Sequence, residues 1–168
     1  NVADLDNAIK MLTDFIKANG DHYQFYAATK LLGEAYLAKK DYAAANKEFG
    51  TLERSPWKGT QMNAKNLKAR VLLAQGNIKG ALAAFEAVAK MDAKSPEGLA
   101  SKRAAQVGSA VCLEKEGKQK EAITVLDQII KTADPQQTAL LAEAYLRKGD
   151  CYRELGEAKE ALIAYLHI

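Results

Sequence analysis

Four times along this chain a small residue is followed twelve positions later by an alanine. The pairs are Gly33 and Ala45, Ala69 and Ala81, Ala110 and Ala122, and Gly149 and Ala161. Each pair carries the same companions. Tyr36, Leu72, Leu113 or Tyr152 stands three residues after the first member, and Phe49, Phe85, Leu126 or Tyr165 four after the second. Leu52, Val88, Ile129 or Ile168 follows at seven, and Ala28, Ala64, Ala105 or Ala144 precedes the first member by five. Ahead of them, Ala8, Leu12 and Phe15 match the second half alone. Apolar residues at i, i+4 and i+7 form one stripe of a helix, and small residues mark where two helices approach closely.

The offset of twelve is invariant, but the second member falls at 8, 45, 81, 122 and 161. Constant spacing within a copy and variable spacing between copies describe helical hairpins of set geometry, with extra residues at the joins. Gly76, Gly117 and Gly156 stand seven after the first small residue, where a helix ends in the left-handed conformation. In the first copy Lys40 holds that place, followed by Asp41 as a cap. Ser95-Pro96 and Asp134-Pro135 read as N-cap and first helical residue, and Thr60 as a further cap. The predicted helices are 3–18, 22–39, 41–54, 61–75, 77–91, 96–116, 118–132, 135–155 and 157–168.

With Leu32-Gly33, Tyr36, Ala45 and Phe49, and again with Gly149, Tyr152, Ala161 and Tyr165, the chain resembles the tetratricopeptide repeat. That pattern runs W-x2-L-G-x2-Y, A-x3-F, P in units of about 34 residues. The Trp position holds Thr29, Lys65, Gln106 and Tyr145, and periods of 36 to 41 imply longer first helices. In that lengthening the chain is similar to bacterial envelope assembly repeats. The resemblance implies an all-α, right-handed superhelix: an orphan second helix at 3–18, then hairpins at 22–54, 61–91, 96–132 and 135–168. One array would span 1–168, expected to be a piece of a longer chain because it opens on a lone second helix and lacks a polar capping helix.

By the same resemblance, the first helix of each hairpin lines a concave wall that receives a peptide or partner segment. Counting around those helices places Tyr23, Ala27, Lys30, Glu34 and Leu37 on the wall, then Asn63, Asn66, Arg70 and Leu73. Ala100, Ala104, Val107, Val111 and Glu114 continue it, and Glu143, Leu146, Asp150 and Arg153 complete it. The wall is graded from Lys30 and Arg70, through an apolar middle, to an acidic end with Arg153. A ligand with acidic, apolar and basic parts in order complements it. Lys30, Asn66 and Arg70 hint at the carboxylate clamp of a chaperone-tail receptor, but Glu34 stands where that pattern wants Asn.

A protein-binding scaffold without chemistry of its own is the first reading; RNA binding and a purely structural assembly role are the alternatives. No nucleophile–base pair, metal cluster or phosphate loop can be assembled, so neither catalysis nor a cofactor is expected. A net charge of +3 is too mild to imply nucleic acid, and no apolar run reaches the roughly 20 residues of a membrane span. Such a protein would sit in the cytoplasm or a bacterial periplasm. Cys112 and Cys151 share one template position with Ala35 and Val71, where packing wants a small apolar group. His22 and His167 read as surface or helix-end residues, and Trp57 as a plug between hairpins.

Overall fold

The computed structural model describes every residue except Asn1, Asp21 and Tyr23, and of Val2 and Ala3 the backbone only. Among the described residues the chain forms nine helices and no strand. They are α1 (Val2–Ala18), α2 (Phe25–Ala38), α3 (Tyr42–Glu53), α4 (Lys58–Ala74), α5 (Ile78–Ala89), α6 (Pro96–Lys115), α7 (Gln119–Thr132), α8 (Thr138–Glu154) and α9 (Ala158–Tyr165). Each helix packs on the next, giving the all-α repeat superhelix expected from the sequence. The later first helices are lengthened: α4 and α8 have 17 residues and α6 has 20, against 14 in α2.

Within each hairpin the turn is built identically. Lys40, Gly76, Gly117 and Gly156 have φ of 62°, 81°, 74° and 78°. Their N–H groups donate to Leu37, Leu73, Glu114 and Arg153, and the next residues donate back to Tyr36, Leu72, Leu113 and Tyr152. This pair of bonds satisfies carbonyls that the ending helix leaves open. Asp41 then caps α3 by accepting from the Ala44 N–H at 3.0 Å, and Asn77 caps α5 through Gly80.

The joins follow expectation less closely. Ser95 caps α6 through the Gly98 N–H at 3.1 Å with Pro96 in the first turn, as read from the sequence. Asp134-Pro135 does not start α8. Asp134 Oδ1 accepts from the Gln136 N–H at 2.9 Å, and Gln137 Oε1 accepts from the Asp134 N–H at 3.1 Å. This local turn outcompetes a helix start and delays α8 to Thr138. Thr60 is not a cap either, because α4 already begins at Lys58. Trp57 does not plug its join. Ser55 is buried there, its Oγ accepting from the Trp57 N–H and its carbonyl from Gln61 Nε2. Trp57 is left 58% exposed, its indole edge-on to Tyr26 at 5.3 Å.

Recurrent residues do recurrent work, and the cores cross hairpin boundaries. Ala45, Phe49 and Leu52 of α3 pack with Ala64, Leu67 and Val71 of α4. Ala81, Phe85 and Val88 of α5 pack with Ala69 behind and Ala105 and Cys112 ahead. Ala122, Leu126 and Ile129 of α7 pack with Ala110 behind and Ala144 and Cys151 ahead. Burying each large side chain contributes about 1.5–3 kcal/mol, and a lone hairpin has no following helix to bury it under. Phe49 lies against Gly33, and Tyr165 against Gly149. Phe85 instead leans onto the next first helix, where a Cβ on Gly108 would stand 2.6 Å from its ring.

Candidate functional site

First helices α4 and α6 lie directly side by side, whereas α2 and α4, and α6 and α8, approach each other less closely. Small residues allow the close seam. Gly59 faces Glu97 and Gly98, and a Cβ on Gly59 would come within 2.9 Å of Glu97. Asn66 belongs to this seam and not to an accessible wall. It is buried, its Nδ2 donates to the Ser101 carbonyl at 2.6 Å, and its Oδ1 has no hydrogen-bond partner. It is therefore unavailable for a carboxylate clamp.

The two wider gaps are spanned by side chains. Between α2 and α4, Arg70 Nη1 stands 3.6 Å from Glu34 Oε1, so these two wall charges offset each other. Between α6 and α8 there are two bridges. Arg103 donates to Gln137 Oε1 at one end and also reaches the Thr132 carbonyl at 3.4 Å. Near the other end, Arg147 pairs with Glu114 at 3.2 Å and Glu143 at 3.1 Å. Bridges between 103 and 137 and between 114 and 147 mean that α6 and α8 run parallel. Between them opens a cleft of about 410 Å³, lined by Ala100, Arg103, Ala104, Val107, Gln137, Ala139, Leu140 and Glu143. Every helical residue lining it comes from a first helix, and none comes from α5 or α7.

The other wall residues are placed as follows. Lys30 is half-buried without an ion-pair partner among the described residues, and Asn63 is half-buried. Val107 is buried at the floor of the cleft, Val111 is half-buried, and Leu146 is 48% exposed. Asp150 pairs with Arg153 at 2.9 Å and accepts from the Tyr165 hydroxyl at 2.9 Å. Tyr23 lies outside the described residues. At the acidic end of the wall Arg153 is thus taken up by Asp150, and Arg147 is shared between two carboxylates. Burial is the main cause that raises the Glu114 carboxyl above the ordinary carboxylate range, opposed by Arg147.

Arg103, Gln137, Ala139 and Leu140 escaped the sequence reading. A signal existed for one of them. Arg103 stands seven residues before Ala110, and the equivalent positions elsewhere are Tyr26, Met62 and Ala142. A charge where the other copies are apolar marks a join built differently.

Cys112 and Cys151 are free and buried, and desolvation pushes their thiols up to about 11 and about 12. His167 stacks on Tyr145 at 4.9 Å just past α9, and His22 meets Phe15 edge-on at 5.5 Å. Among the described residues no three His, Cys, Asp or Glu side chains gather as metal ligands. No helix among them is long and apolar enough to cross a membrane.

Tetratricopeptide repeat models match residues 2–54 and 66–138, and a second such model matches 142–168. No curated protein is significantly similar in sequence. Among solved structures, the crystal structure of MamA is similar with a TM-score of 0.60 at 17% identity, over 98% of this chain and 86% of that one. A Podosopora anserina putative kinesin light chain with nearly identical TPR-like repeats gives a TM-score of 0.66 at 18% identity, over 98% and 85%. A substituted form of that same protein gives 0.65 at 19%, over 96% and 84%. At such identities these likenesses concern the fold alone. The repeat signature, matched along most of its length, places the chain in the tetratricopeptide repeat family.

Proposed function

We propose that residues 1–168 act as one array that holds a partner protein along the face of its first helices, without chemistry of its own. Membership of the repeat family supports an interaction scaffold. The observation that carries the finer reading is the cleft between α6 and α8, an apolar floor with charged ends on that same face. Apolar surface framed by polar groups is what a partner side chain covers favourably, and it is costly to leave wet. The pairing of Arg70 with Glu34, and of Arg153 with Asp150, moves the emphasis from a graded string of charges to this apolar middle.

The test is co-precipitation with the whole protein, identification of the bound chain, and titration of that chain against variants. Val111→Asp should weaken binding at least several-fold, because it puts a charge into the apolar stretch. Arg70→Glu should also weaken it, by leaving two facing carboxylates in place of a pair. Lys131→Glu, on second helix α7, should leave affinity unchanged. Affinity that ignores Val111 and Arg70 but collapses with Lys131 would move the working surface to the second helices.

A further inference from the structure

The gap between α6 and α8 has a defined length and a polarity, and the cleft occupies its Arg103 end, as far as Val107 and Glu143. Its bridges involve Arg103 and Glu114 on α6, eleven residues apart. At 1.5 Å per helical residue that is about 16 Å, or about five residues of extended chain. The acceptors of Arg103 are an amide oxygen and a carbonyl, both neutral, so its positive charge stays uncompensated. At the far end one Arg147 serves both Glu114 and Glu143, leaving a net negative charge. Between the ends the floor is Val107 and Leu140, flanked by Ala104 and Ala139.

The late start of α8 shapes one end of this slot. The turn at Asp134 holds Gln137 where Arg103 can reach it, and the guanidinium spaces the helices where the neighbouring seam brings small residues together. The cavity of about 410 Å³ exceeds the space one large side chain fills, so a Phe or Leu enters with part of its backbone.

Resting on the scaffold reading above, we propose that this slot is the specificity site. It takes a short extended partner segment with one bulky apolar residue between an acidic residue, which meets Arg103, and a basic residue, which meets Glu143. Charge complementarity at both ends argues for this occupant, since an uncharged apolar segment would cover Arg103 and the Glu pair while leaving the net charge at each end uncompensated. The apolar side chain supplies the affinity and the end charges fix the direction.

The probe is a fluorescein-labelled peptide, Ser-Asp-Ala-Phe-Ala-Lys-Ser, titrated by fluorescence anisotropy, with an otherwise identical peptide carrying Ala for Phe. The Phe peptide should bind about tenfold or more tightly than its Ala counterpart, the effect expected for burying one large side chain. Ala104→Phe, at an exposed position, should fill the slot and abolish that preference while leaving the circular dichroism melt intact. Arg103→Gln should weaken the Phe peptide and reduce its salt dependence. Equal affinity for the two peptides, no binding up to millimolar protein, or a Phe preference that survives Ala104→Phe overturns the proposal. If the captured partner still depends on Arg70 and Val111 in that event, the scaffold reading stands and only the slot falls. Slot-dependent peptide binding with a partner indifferent to Arg70 supports the slot and removes the wider wall.

Discussion

Arg147 Nη1 holds one oxygen of Glu114 at 3.2 Å, while the other oxygen, Oε1, is buried without a hydrogen-bond partner. For a carboxylate half-satisfied in this way, desolvation costs more than one guanidinium offsets, and its pKa is raised accordingly. A group whose folded pKa lies above its unfolded value favours folding at low pH, and that advantage is lost as pH rises through the folded pKa. Glu114→Gln keeps an acceptor for Arg147 and removes the buried charge. The variant should melt higher than the parent at pH 7 and lose that advantage by pH 4. Equal melting shifts at both pH values would show that ionisation of Glu114 is immaterial.

Lys40 adopts a φ of 62° where the other three hairpin turns use glycine. A side chain in the left-handed region costs roughly 1 kcal/mol relative to glycine. Its N–H bond to Leu37, and that of Asp41 to Tyr36, do not depend on the side chain. Lys40→Gly should therefore raise the melting temperature by about 2–4 °C, as read by thermal denaturation. A drop would mean that the lysine side chain contributes more than the backbone strain removes.

Ala81 and Ala122 are fully buried where second helices meet their neighbours. Leu at either should overpack the interface by about 1–3 kcal/mol in urea unfolding. Lys79 is exposed, and Lys79→Leu should change stability by less than about 0.5 kcal/mol. Three equal losses would be incompatible with the observed packing.

The buried thiols give an alkaline signature. With folded values of about 11 and about 12 against an ordinary 9.0, both cysteines hold their protons more tightly folded than unfolded. Their contribution is complete below pH 9 and is lost as pH climbs toward 11–12. Cys112→Ala with Cys151→Ala, the residue that Ala35 supplies at the same template position, should flatten the fall in stability between pH 9 and 11. Both native thiols should react with a thiol reagent slowly until denaturant is added. Fast native labelling at both sites would contradict their burial.

How legible the chain was depends on the range of the forces involved. Hairpin turns could be read residue by residue, even the lysine at positive φ, because their chemistry lies within a six-residue window. Alanines and aromatic residues at fixed offsets located the core for the same reason. Joins were harder. Asp134 had two local options, a cap or a turn, and Gln137 decided between them with a side chain the pattern did not include. Asn66 and Arg70 occupy wall positions by count, yet one fell into the α4–α6 seam and the other onto Glu34. Which gaps close is set by how helices distant in sequence settle against each other, and no repeat template contains that information.

The uneven spacing of the first helices also has a mechanical side. Seam α4–α6 closes on glycines and a buried amide, whereas across each outer gap the first helices meet through side chains such as Arg103 and Arg70 and are joined behind by the cores of α3 and α7. Long side chains yield to bending far more readily than backbone in contact. A ligand seated in the proposed slot would bear on the α6–α8 gap and on the core shared by α6, α7 and α8 together, so any change it makes in the spacing of α6 and α8 would be carried on to α9, which packs against α8.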